Sequence, residues 1–128
     1  MKIAIYLLFM LALCSCGGAD AEISPPLPPR IVVDSSYEEY LKIEFGETKQ
    51  CTGLEKGTFA DLQVIVMPPH FPCSFYRDGC MGEFEPPYFI KIADNSWWKH
   101  EVIHYLLNLN TNDSDPGHVS KFFNTCTL

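Results

Sequence analysis

Four residues in the C-terminal part of the chain can do chemistry together: His100, Glu101, His104 and His118. His100 and His104 are four apart, about one turn of an α-helix, so both rings leave the same face. Two imidazoles placed like that can share one zinc ion at roughly 2.0–2.1 Å each. Glu101 projects beside such an ion rather than onto it. From there a carboxylate can take a proton from activated water and hand it to a leaving amine. His100-Glu101-Val102-Ile103-His104 is thus a His-Glu-x-x-His arrangement with its mechanical meaning intact. In a chain this long the pattern arises by chance roughly once in several hundred cases. The bland alternative is a hydrogen-bonded polar patch without metal.

A zinc site of this kind needs a third protein ligand and keeps the fourth place for water. His118, fourteen residues beyond His104, stands out for it. Asp113 and Asp115 compete, Asp115 better as support behind a ligand than as a ligand. His70, between prolines in Pro68-Pro69-His70-Phe71-Pro72, reads as a loop residue. The Asn/Asp-rich stretch lacks the spacing and terminal glutamate of a calcium loop.

The elements that must carry these residues follow from periodicity. Asn95-Ser96 offers a cap for a buried helix over residues 97–109, with Trp98, Val102, Ile103, Leu106 and Leu109 on its core side. Asp115 as N-cap and Pro116 at the first helical position announce a last helix. It would hold His118 at its third position, align Val119, Phe122, Phe123 and Cys126, and set Phe122 behind the metal. Upstream, Ser35-Ser36 caps a helix over 37–47, with Tyr40, Leu41, Ile43 and Phe45 on its apolar side. Residues 62–67 read as a buried strand, 69–82 as a loop, and 88–93 as a second strand that Pro86-Pro87 confine to an edge or a late start. The class is α+β. For an oxyanion donor, Tyr76, Arg77, Tyr88 and Tyr105 are available by type, Tyr105 being better suited to the core. Trp97 walls the site or packs at the helix start.

The chain has 128 residues, enough for one domain. Its formal charge is −7 and it has no basic cluster, which excludes nucleic acid as a partner. Residues 1–15 read as a signal peptide: Met1-Lys2, then an apolar run too short to span a bilayer. Leu13-Cys14-Ser15-Cys16 resembles a bacterial lipobox with Cys16 as the lipidated residue, the rival being an ordinary signal peptide with incidental cysteines. Gly17 is not the aspartate associated with inner-membrane retention, so a Gram-negative source would imply the outer membrane. Residues 16–30 form the anchor and a Pro/Gly-rich tether, and residues 31–128 the metal-binding domain. Cys51, Cys73, Cys80 and Cys126 remain. They allow three pairings, of which Cys73–Cys80 as a local clip and Cys51–Cys126 as a long staple are preferred; a four-cysteine zinc site is the weaker rival, for want of a Cys-x-x-Cys pair.

His100-Glu101-x-x-His104 followed by Gly117-His118-x-x-x-Phe122 resembles the zincin metallopeptidases, most closely their SprT-like arrangement. The likeness covers about 25 residues. It implies a minimal zincin-like fold, one Zn2+ on His100, His104 and His118, Glu101 as catalytic base, and a strand near residues 88–93 that pairs with extended peptide. SprT-like proteins are intracellular and DNA-linked, whereas this chain reads as exported and acidic, so substrate does not carry over. The expectation is a monomeric zinc peptidase of the bacterial cell envelope, acting on a peptide or protein and touching the membrane through its lipid alone. The alternative is a non-catalytic, zinc-stabilised envelope lipoprotein that binds a protein or cell-wall partner.

Overall fold

The computed structural model describes residues 35–75 and 79–128; the signal peptide, Cys16, the tether, Tyr76 and Arg77 lie outside them. Helix α1 (Ser35–Thr52) buries Leu41, Phe45, Thr48 and Thr52, a stripe recurring every three or four residues. Tyr40 and Ile43, expected on its apolar side, face outward. The helix outruns the expected end at residue 47. The reason is Gly53, which takes a left-handed φ of 68° and donates its N–H to Lys49 O at 3.0 Å, a glycine C-cap.

Three strands form a mixed sheet in the order β1-β3-β2: β1 (Gln63–Val66), β2 (Gly82–Glu85) and β3 (Phe89–Ile92). β1 runs parallel to β3, and β2 antiparallel to it. The class is α+β, as the element pattern required. β3 occupies the centre, because Pro86 and Pro87 fall in the turn after β2 and their missing N–H groups cost the ladder nothing. The expected pairing of this strand with a peptide is therefore wrong: β1 and β2 already take both its edges. β2 begins at the last residue of the stretch read as loop and runs on through residues to which the sequence assigned no element. Two glutamates in a four-residue strand hide its β character, and only the sheet explains them. Lys91, opposite Glu83 in register, pairs with Glu83 at 3.2 Å and also with Glu85.

Helix α2 (Trp98–Thr111) lies across the sheet. A 3₁₀ turn over Asn95–Trp97 precedes it, and Asp94, not Asn95 or Ser96, is the cap: its carboxylate accepts from the Ser96 N–H at 2.8 Å. Asn112 ends the helix in the left-handed region, its N–H on Asn108 O at 3.0 Å. The main core joins Leu41 and Phe45 of α1, Leu62, Val64, Phe84, Ile90 and Ile92 of the sheet region, and Trp98, Val102, Tyr105 and Leu106 of α2. Trp98 Nε1 donates to Leu41 O at 2.9 Å, so even the indole nitrogen is satisfied in the core.

The last helix departs most from expectation. Only Phe122–Thr125 is helical (α3). Asp115 and His118 have φ of 55° and 54°, incompatible with a helix starting at Pro116, and Val119 is 88% exposed rather than aligned with Phe123 and Cys126. The disulfides are Cys51–Cys126, tying the end of α1 to α3, and Cys73–Cys80, clipping the loop before β2. They suit an oxidising, extracytoplasmic setting. Among the described residues no helix is long and apolar enough to cross a membrane.

Candidate metal centre

α2 presents His100, Glu101 and His104 from one regular, buried segment. Glu101 is 4% exposed and His104 8%. His118 arrives from the loop between α2 and α3, which is stitched by its own side chains. Asp113 Oδ1 accepts from the Asp115 N–H at 2.8 Å, and the Asp115 carboxylate accepts from the N–H groups of Val119 at 2.9 Å and Ser120 at 2.6 Å. These bonds bracket His118. The Ser120 and Val119 N–H groups also hold the Asp115 carboxyl below its usual range, with burial opposing and His104 and His118 assisting weakly. Asp115 thus braces the backbone that follows His118, and it closes a loop where a helix cap was expected. Asp113 is a turn residue.

The three Nε2 atoms converge. His100 and His104 are separated by 3.2 Å, His100 and His118 by 3.1 Å, and His104 and His118 by 3.1 Å. A neutral ring nitrogen carries either a proton or a lone pair, so among three in mutual contact at least two are alike. Hydrogen bonding cannot satisfy every edge of this triangle. A cation that accepts one lone pair from each nitrogen satisfies all three. Ligand nitrogens at roughly 2.0–2.1 Å in tetrahedral directions stand about 3.3 Å apart, close to the observed edges. These three histidines could hold one metal ion.

Two features prepare the rings for that task. His104 Nδ1 lies 2.6 Å from Ser114 O; a carbonyl only accepts, so Nδ1 carries the proton and Nε2 the lone pair. Burial, followed by the neighbouring His104 and His118, pulls His100 down to about 4. Burial also lowers His104, against the opposing bond to Ser114. Both rings are neutral at neutral pH, the form a metal requires. Phe123 closes the rear, its ring 5.0, 4.6 and 4.7 Å from those of His100, His104 and His118. The expected backing by Phe122 is corrected by one residue, because the helix that would have aligned Phe122 with His118 does not form.

Glu101 stands apart from the three converging nitrogens. It faces β2, where Gly82 leaves room: a Cβ there would overlap Glu101 Oε1 and lie 3.0 Å from Trp97 Cβ. Burial pushes its carboxyl up to about 8, the Glu83 charge adds to this, and a backbone hydrogen bond from Phe84 opposes it. A divalent cation beside it would favour the ionised form. Trp97 meets His100 edge-on with centroids 5.6 Å apart, walling the site. Tyr105 is in the core with its hydroxyl on Thr58 O, away from the site, and Tyr88 packs against the same core. His70 lies outside the metal group. Sequence reasoning missed Gly82 and Phe123. A glycine opening a short strand beside a buried acid carries no periodic signal, and Phe123 depended on the true start of α3.

A cleft of about 500 Å³ opens onto the imidazoles and Glu101. Comparison of the chain with protein-family models, curated proteins and solved structures gave no match in any of the three.

Proposed function

We propose that the protein is a zinc-dependent peptidase of the cell envelope, with His100, His104 and His118 as the ligands and Glu101 as general base. The observation that carries this reading is the meeting of the three Nε2 atoms at one end of a cleft that Glu101 also lines. Three imidazoles suit zinc and leave an open position. When bound, the ion supplies Lewis acidity that makes water nucleophilic at neutral pH and polarises a carbonyl. Glu101, whose Oε1 lies against Gly82, takes the proton at a carboxylate oxygen and returns it to the departing amine. β2 is an edge strand beside this cleft, so the strand that would align an extended peptide is β2, in place of the central strand first expected. The zincin resemblance rests on the same residues. A lipid on Cys16 and the Pro/Gly-rich tether would hold the domain off the membrane, consistent with its disulfides.

The test is Glu101→Gln in the zinc-loaded protein. One zinc per chain should remain while hydrolysis of an unstructured protein falls by at least about 100-fold. An unchanged rate defeats the assignment. Zinc binding with no hydrolysis by the wild type favours the alternative, a zinc-stabilised envelope lipoprotein that binds a partner.

A further inference from the structure

The cleft does more than expose the ion site. Beyond the imidazoles and Glu101 its larger apolar lining residues are Phe75, Met81, Phe84, Pro86, Trp97 and Pro116. Phe75 is 73% exposed and Trp97 37%, so one large aromatic side chain stands in water at this opening and a second keeps part of its surface there. Covering such surface is favourable by about 25 cal/mol per Å². The polar groups of the cleft point the same way. Among the described lining residues none is Lys or Arg. The charged side chains are Glu101, engaged beside the ion site, and Glu83. The Glu83 oxygens are already used: Oε1 accepts from the Ser74 N–H at 2.7 Å and Oε2 from Lys91 Nζ at 3.2 Å. Both of these oxygens are thus engaged by donors of the protein itself. The bond to Ser74 has a second consequence, since it joins β2 to the loop that carries Phe75 and so sets that ring at the mouth.

We infer that this cleft is a specificity subsite for a bulky apolar side chain, aromatic or long aliphatic, of a peptide lying beside the metal centre. The inference rests on the peptidase reading for the ligand being a peptide. It adds the side-chain class that such a peptide must offer. Phe75 and Trp97 close over the side chain, and Met81, whose thioether adapts to different shapes, lines the pocket.

The full chain carrying Glu101→Gln, loaded with zinc, allows binding to be measured without turnover. The probes are blocked peptides Ala-Ala-X-Ala-Ala, titrated calorimetrically. With X as Phe, Tyr or Leu they should bind at least about tenfold tighter than with X as Ala, Asp or Lys. Phe75 is exposed and its removal does not threaten the core, so adding Phe75→Ala should leave zinc stoichiometry unchanged and reduce the Phe-over-Ala ratio by about threefold or more. Equal affinities across X, a preference for Lys or Asp, or a ratio indifferent to Phe75 would overturn the subsite. Cleavage by the wild type is scored separately: apolar preference without cleavage retains the subsite and removes the peptidase reading, and cleavage without preference does the reverse.

Discussion

Two segments deliver the three imidazoles, and they are built on opposite principles. α2 is regular and buried from Glu101 to Leu107, and helical geometry places its two histidines, the His104 ring being fixed further by Ser114 O. The segment after it, residues 112–121, is mostly exposed. It contains three non-glycine residues with left-handed φ (Asn112, Asp115 and His118), and it is held by side-chain bonds onto its own backbone. Such conformations cost of order 1 kcal/mol or more each and persist where the surroundings enforce them. The helix supplies position through packing and the loop through local hydrogen bonds. The first is robust to surface change; the second depends on a few polar atoms.

The sharpest way to break this contrast is to remove a ligand from each side. His104→Ala should abolish stoichiometric zinc binding, read by metal analysis of the purified protein, because it removes a ring whose tautomer is preset by Ser114. His118→Ala should also lose stoichiometric zinc while α2 stays folded by far-UV circular dichroism. Full zinc retention would show that the loop histidine is no ligand.

A smaller effect separates positioning from chemistry. Gly82→Ala places a methyl group against Glu101 and Trp97. Hydrolysis should fall by about 100-fold, the scale of a misplaced catalytic group, at unchanged zinc stoichiometry. Equal loss of zinc would mean that β2 supports the ligands and not the base.

Asp115→Ala tests the loop itself. It removes the acceptor for the Val119 and Ser120 N–H groups, and zinc affinity should drop about 10- to 100-fold in a competition titration against a chelator. The equivalent disruption at the rim of α2, Asp94→Ala, should leave affinity within about threefold, since packing continues to place that helix.

The smallest effect concerns pH. Burial raises the Glu83 carboxyl, but the Ser74 N–H and Lys91 outweigh it and hold it below its ordinary value. A depressed folded pKa contributes stability that is present above the unfolded value near 4.5 and is lost as pH falls through the folded one. Thermal melts should therefore lose midpoint on acidification below about pH 4.5, and Glu83→Gln should flatten that limb. An unaltered acid limb would show that the Glu83 carboxylate, held by Ser74 and Lys91, is not what couples β2 to pH.

Legibility followed the same division. The helical spacing of His100 and His104, the core stripe of α2 and the α+β class could be read because each repeats with a local period. The strand at 89–92 was legible, but its central place was not: Pro86-Pro87 speak only to where a strand can begin, and sheet order depends on which edges are covered. The Asp115-Pro116 pair reads as a helix start by type. The same carboxylate that caps a helix can close a loop, and nothing local distinguishes the two.

By itself the sequence determined which residues carry donor atoms, the one-turn offset of two of them, and an acidic chain with four cysteines in the described domain. Tertiary structure alone decided that His118 swings in on a left-handed loop, that Phe123 backs the triangle, and that β2 brings Gly82 against Glu101. Local propensity reaches only a few residues along the backbone. A convergence of three nitrogens to about 3 Å is set by long-range packing, which no short window of sequence contains.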